Sequence, residues 1–281
     1  MSETIFHLRG SSGPTVVVLG SVHGNERVGA AVIEELKTEI TPEQIYGELF
    51  LIIGNPRAYE KNVRFIDCDL NRLFGEDFPS LKKIPSPNYE QQRALELGKY
   101  LGKANYLLDI HSTIKPSVPF VYAKDTPRHR ELANLFETDF IISPAPSFAP
   151  KELFSSTDTF VDNHGGIGLT YESGWHKDLS VVDAVARRAK LFLQVVGAIS
   201  PNKQPPAKNH ARHLSIYDHV IPETGQFSFS ENVENFSFFE TGKTLAFDLR
   251  KPIIVPHDSY VVFPKDDIKK GGVACYLARH L

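Results

Sequence analysis

The stretch Thr15–Leu36, "TVVVLGSVHGNERVGAAVIEEL", joins a β-branched apolar run to an amphipathic one, with "HGNE" at the joint. "TVVVLGSV" is the unbroken apolar run expected of a strand buried on both faces. "ERVGAAVIEELK" repeats its apolar residues at helical spacing. The turn between them carries an imidazole, His23, and a carboxylate, Glu26. A strand feeding a helix puts such a turn beyond the carboxyl edge of a sheet, where α/β proteins gather ligands. Alone, the four-residue string serves equally as a helix start, with Asn25 or Glu26 favoured by the dipole, or as half of a metal site.

The alternation continues to about Ser200. "ELFLIIGNP", "NYLLDIHS", "VPFVYAK", "DFIISP" and "GIGLTYESG" read as strands, while "NYEQQRALELGKYLG", "RHRELANLF" and "DAVARRAKLFLQVVGAI" read as helices. Strands alternating with helices predict an α/β layer structure around a largely parallel or mixed sheet. The pattern changes at "SPNKQPPAKNH", Ser200 to His210, a Pro-rich linker candidate. Beyond it, "QFSFS", "FSFFETGKTLAF", "KPIIVP" and "SYVVFP" are short strand-like pieces. These predict two domains, residues 1–202 and a small β-rich domain at 203–281.

Composition narrows the function classes. The 281 residues are 41% hydrophobic and 23% charged, values of a globular protein able to bury a substantial core. A net charge of −3 without a basic run gives no sign of nucleic acid or a membrane surface as partner. No apolar stretch approaches the ~18–20 residues of a spanning helix. The opening "MSETIFHLRG" lacks the features of a signal peptide, and two cysteines suit a reducing compartment, so a cytoplasmic location is expected.

Three further places carry chemistry. His111 in "YLLDIHST" lies at the carboxyl end of a predicted strand, where the fold can bring it beside His23 and Glu26 as a third ligand of a catalytic zinc. Asp109 alternates with it, and either faces the other side of the sheet or orients a ligand from behind. "RFIDCDLNRLF" holds Arg64, Asp67, Asp69, Asn71 and Arg72, either a solvated loop or an anion clamp braced by carboxylates. Cys68 within it has no neighbouring histidine and reads as a small buried residue rather than a nucleophile. Glu172 in "LTYESG" ends an apolar run, where a carboxylate facing a metal can exchange protons with water and a leaving nitrogen. His129, His210 and His213 read as solvated.

In order, "GSVHGNE", "GNPRAYEKNVRFIDCDLNRLF", "LDIHST" and "YESG" resemble the succinylglutamate desuccinylase/aspartoacylase family, zinc hydrolases related in fold to the zinc carboxypeptidases. The resemblance extends to about Gly174 and implies a three-layer α/β/α zinc-carboxypeptidase-like domain with a mixed sheet, plus the C-terminal β piece. It implies one Zn2+ per chain on His23, Glu26 and His111, with Arg64 steadying the oxyanion. Asn71 and Arg72 would hold the α-carboxylate of the substrate, and Glu172 would act as general base and then general acid. The implied activity is zinc-dependent hydrolysis of the linear, non-peptide amide bond of a small N-acyl amino acid. A carboxypeptidase-like metallopeptidase and a silent metal-binding relative are the alternatives, and the pattern is compatible with a homo-oligomer.

One departure from the family bears on the substrate. Aspartoacylases carry an additional arginine shortly before the catalytic glutamate, for the substrate's side-chain carboxylate. Here "TFVDNHGGIGLTYESG" has none, and no arginine occurs between Arg130 and Arg187. Asp162 is expected near that position, which argues against acetylaspartate. Lys151 and Lys177 are the candidate substitutes.

Overall fold

The computed structural model describes residues 4–148, 150–201 and 211–281. The chain begins with β1 (Ile5–Arg9), β2 (Ser11–Gly20), α1 (Arg27–Glu39), β3 (Tyr46–Ile53), α2 (Pro56–Lys61), α3 (Phe78–Leu81) and α4 (Tyr89–Leu101). It continues through β4 (Tyr106–Thr113), β5 (Phe120–Ala123), α5 (Pro127–Ala133), β6 (Phe140–Pro144), α6 (Thr157–Asn163), β7 (Ile167–Trp175) and α7 (Val182–Val195). The remainder is β8 (Arg212–Val220), β9 (Phe227–Phe229), β10 (Phe238–Phe239), β11 (Thr244–Asp248), β12 (Lys251–Ile254), β13 (Ser259–Val262) and β14 (Cys275–His280).

The apolar run of β2, Val16 to Leu19, is fully buried inside the sheet. It pairs in parallel with β3 on one side and β4 on the other, and β4 pairs in parallel with β7. Val16 and Val18 point to one face of the sheet, packing with Val28, Val32, Ile33 and Leu36 of α1 and with Phe192 and Leu193 of α7. Val17 and Leu19 point to the other, packing with Ala94, Leu97 and Leu101 of α4 and with Phe160 and Val161 of α6. Helices therefore cover both faces of a mixed sheet, as the sequence predicts. Each of these fully buried strand residues contributes roughly 1.5–3 kcal/mol relative to exposure.

Two features differ from the expectation. β1 forms an antiparallel edge against β3, outside the strands read from the sequence. Its residues are mostly half-exposed, so it lacks the apolar run by which the inner strands announce themselves. In addition, β8 pairs in parallel with β6, and β14, β13 and β10 follow it. The C-terminal segment is β-rich as expected, but these four strands extend the central sheet to eleven strands. Only β9, β11 and β12 form a separate antiparallel sheet among the described residues. The linker reading falls largely on residues 202–210, outside those described. Among the described residues no helix is long and apolar enough to cross a membrane.

The start of α1 is fixed by a glycine contact. A methyl group added to Gly29 would lie 2.7 Å from both Gly20 Cα and Ile110 O, atoms of the backbone at the carboxyl ends of β2 and β4. Close approach there seats the helix, and with it Glu26, directly behind the strand ends. Gly29→Ala should therefore lower stability by about 1–3 kcal/mol through overpacking, although alanine is the better helix former. Urea unfolding measures this, and an unchanged or raised midpoint would show that the contact has slack.

Candidate active site

His23 and Glu26 follow the end of β2, His111 lies near the end of β4, and Glu172 near the end of β7. Because these strands run in parallel, the four side chains meet beyond one edge of the sheet. His111 and Glu172 are register partners on adjacent strands. Glu26 occupies the N-cap position of α1 but makes no side-chain cap to it. Its Oε1 lies 2.8 Å from His23 Nδ1, and its Oε2 lies 3.0 Å from His111 Nδ1 and accepts from Ser112 N at 3.1 Å. The carboxylate is thus committed to the two imidazoles rather than to its helix. The turn itself is made by Ser21, which has a left-handed φ of 52° and donates its hydroxyl to Glu26 O. Gly24 serves close approach: a Cβ there would strike the backbone of Ala58 and Tyr59.

The far nitrogens of both rings also face carboxylates. His23 Nε2 lies 3.1 Å from Asp69 Oδ1, and His111 Nε2 lies 3.0 Å from Asp109 Oδ2. A carboxylate can only accept, so a proton on His23 Nε2 satisfies the contact with Asp69, whereas His111 Nε2 approaches Asp109 closely without hydrogen-bond geometry. Two imidazole Nδ1 atoms and a carboxylate converge in this buried space, a donor set that suits a cation once the rings give up their protons. The candidate ligand atoms of His23, Glu26 and His111 lie within 4.8 Å of one another. Imidazole nitrogen and carboxylate oxygen are zinc donors, and outer carboxylates that orient ligating histidines are typical of such sites. The residues present therefore fit zinc.

The electrostatics follow from this crowding. Burial pushes the Glu26 carboxyl upward, but His23 and His111 outweigh it and hold it well below the usual range. Asp69 is likewise held well below its usual value by the hydrogen bond and charge of His23 and by Arg64 and Arg72, against the opposing effect of burial. Burial lowers His111, while Asp109 and Glu26 raise it further, so that it ends well above an ordinary imidazole. Glu172 is pushed up to about 8, chiefly by burial, and its Oε2 has no hydrogen-bond partner among the described residues.

The loop after α2 supplies the remaining expected residues. Arg64 donates to Asp69 Oδ2 through Nε (3.2 Å) and Nη2 (2.9 Å), and its Nη1 lies 3.6 Å from Glu26 Oε1. Asn71 is buried, with its N–H on Asp69 Oδ1 and its Oδ1 accepting from Thr157 N. Arg72 is anchored through Nη1 to Asn71 O. All three line one cavity with His23, Glu26, His111 and Glu172. A residue outside the sequence reading holds the loop in place: buried Glu90 of α4 accepts from Ile66 N, Asp67 N, Cys68 N and Asn55 Nδ2. Its position in the first turn of a helix resembles ordinary dipole compensation, which conceals this function. Burial, the largest influence on Cys68, raises its thiol pKa, consistent with a non-nucleophilic residue.

Other expectations are corrected. Asp162 does not line the cavity; its Oδ1 lies 3.0 Å from His129 Nε2 and accepts from Gly168 N. His129 is accordingly buried rather than solvated, because it closes α5 onto α6. His213 is half-buried within β8, and His210 lies outside the described residues. Lys177 sits over the Trp175 ring instead of in the cavity, and nothing is described of the Lys151 side chain. The lysines of the cavity wall are Lys115 and Lys265.

The raised Glu172 pKa has a consequence for the metal-free protein. A carboxyl with a folded value near 8 and an ordinary value of 4.5 binds more protons folded than unfolded between those pH values. Its contribution therefore erodes stability as pH rises from about 4.5 to about 8, and is constant above. Glu172→Gln should melt higher than the parent, by a margin that widens across this window and then levels off. A margin independent of pH in thermal scans of the metal-free proteins would contradict the assignment.

The family profile described as the succinylglutamate desuccinylase/aspartoacylase catalytic domain matches residues 12–195. A succinylglutamate desuccinylase of Vibrio campbellii is 25% identical over 283 residues, covering 91% of this chain and 78% of the relative. An N-acyl-aromatic-L-amino acid amidohydrolase (carboxylate-forming) of Xenopus tropicalis is 32% identical over 141 residues, 47% of this chain and 44% of that protein. The chain thus matches less than half the length of the frog protein. The crystal structure of succinylglutamate desuccinylase from Vibrio cholerae shares the fold with a TM-score of 0.79 at 18% identity, covering 99% of this chain and 85% of that one. The chain belongs to the succinylglutamate desuccinylase/aspartoacylase family.

Proposed function

We propose that this protein is a zinc-dependent amidohydrolase that cleaves the linear amide bond of a small N-acyl amino acid. The observation that carries the reading is the convergence of His23, Glu26 and His111 with a buried, hydrogen-bond-free Glu172 oxygen in one cavity. A zinc ion held by those three residues supplies a Lewis acid that polarises the carbonyl and acidifies water. Glu172 takes the proton from the attacking water and returns it to the leaving nitrogen, acting first as base and then as acid. Arg64, fixed by Asp69, faces the negative charge that develops on the carbonyl oxygen, already oriented before reaction. Asn71 has its oxygen committed to Thr157 N, leaving its amide nitrogen to donate. With the Arg72 fork it makes a receptor for the substrate's α-carboxylate.

The cavity wall favours this reading over a peptidase. Asn235, Phe263, Pro264 and Tyr276 of the C-terminal segment line the same cavity, and a wall built from them would limit the length of a bound chain. The succinylglutamate and N-acyl-aromatic activities named for the relatives both concern small N-acylated amino acids. Tyr122, Leu153, Phe263 and Tyr276 also line this cavity, and they supply apolar surface to a bound side chain.

The zinc-loaded protein is expected to release free amine faster from a panel of N-acyl amino acids than from dipeptides of the same residues. Glu172→Gln should lower kcat by roughly 10²–10⁴-fold while binding zinc as the parent does. Faster dipeptide turnover would reassign the protein to the peptidases. A parent that binds zinc but hydrolyses neither class would identify a silent relative.

A further inference from the structure

Two arms of contacts lead away from Glu26 and close on a single residue. Along one, His23 Nε2 meets Asp69 Oδ1, and that oxygen also accepts from Asn71 N. Along the other, His111 Nε2 meets Asp109 Oδ2. The arms join at Thr157, whose N–H donates to Asn71 Oδ1 at 3.0 Å and whose hydroxyl donates to Asp109 Oδ2. Thr157 is completely buried at the start of α6 and takes no part in lining the cavity.

We propose that Thr157 is a positioning residue for the metal site, holding His111 through Asp109 while its N–H fixes Asn71. The proposal rests on the metal and carboxylate assignments above. Asp109 is buried, and its Oδ1 has no hydrogen-bond partner. Among the described residues the Thr157 hydroxyl is the one hydrogen-bond donor to this carboxylate. Without it, no hydrogen bond sets the rotation of Asp109, and the carboxylate that lies 3.0 Å behind His111 Nε2 is no longer fixed there. The same short segment carries the N–H that orients Asn71, so the metal side and the carboxylate side of the cavity share one anchor.

Thr157→Val keeps the branched shape and the backbone N–H but removes the hydroxyl. Competition with a chromophoric chelator, with zinc alone as the probe, should show its zinc dissociation constant raised about tenfold, within the 10–100-fold typical of losing such an outer contact. Thr157→Ser, which restores the hydroxyl, should return the constant to that of the parent. Should the valine variant fail to fold, Thr157→Ala is measured in its place. Parent-like zinc affinity in a folded variant without the hydroxyl overturns the proposal, as does failure of serine to restore it. A parent that binds no zinc would instead defeat the metal assignment itself.

Discussion

The Glu26 carboxylate, caught between two imidazole Nδ1 atoms at 2.8 and 3.0 Å, is the constraint around which the molecule is organised. A buried carboxylate between two imidazoles is a costly arrangement unless positive charge, on the rings or on a bound cation, compensates it. The fold meets that requirement by bringing three sequence-distant pieces to one edge of a sheet. β2 delivers His23 and the start of α1, β4 delivers His111, and the Gly20–Gly29 contact brings the helix close enough for Glu26 to reach both rings. Had Glu26 capped its own helix, as a residue at that position ordinarily does, the two histidines would have no common partner.

Geometry of this kind requires support behind it. Each ring is gripped at its far nitrogen by a carboxylate, and those carboxylates are themselves fixed, Asp69 by Arg64 and Asn71 N, Asp109 by Thr157. The loop bearing Arg64 to Arg72 has little regular structure, yet Glu90 satisfies three of its backbone N–H groups from a neighbouring helix. A charged acceptor on several amides gives such a loop the rigidity that a ladder gives a strand. The site is therefore held in position by its surroundings before any ligand arrives.

The residues with direct chemistry were legible in the sequence because they stand at strand ends, where an imidazole or carboxylate interrupts an apolar run. His23, His111 and Glu172 each announce themselves in that way, and the structure brings them together with Glu26. Their supports were harder to see. Glu90 and Thr157 occupy helix starts, where such residues are commonplace, and their partners lie far away in the sequence. For Asp109 the alternation with His111 left two places open, the other face of the sheet or behind a ligand, and the fold sets it 3.0 Å from His111 Nε2. The buried strands β2 to β4 were readable from their apolar runs, whereas the parallel pairing of β8 with β6 was not, since it depends on long-range docking. The same limit explains His129, read as solvated, and Asp162, expected near the substrate: tertiary contact pairs them with each other instead.

The wall of the cavity is a separate matter from its chemical edge. Phe263 and Tyr276 come from the C-terminal strands, yet they share a core with Phe120 and Tyr122, close to the site. Because β8 continues the sheet from β6, this wall is joined through hydrogen-bonded strands rather than through a linker alone. Lys115 adds a second tie: directly beyond β4, it donates to Val233 O and pairs with Asp266. A substitution at Phe263 or Tyr276 changes the shape offered to a ligand while leaving the histidines and their carboxylates untouched. The absence of an arginine between Arg130 and Arg187 therefore does not leave the cavity without cations. Lys115, from just beyond β4, and Lys265, from the C-terminal segment, line it, so the two parts of the chain meet at its wall as well as along the sheet.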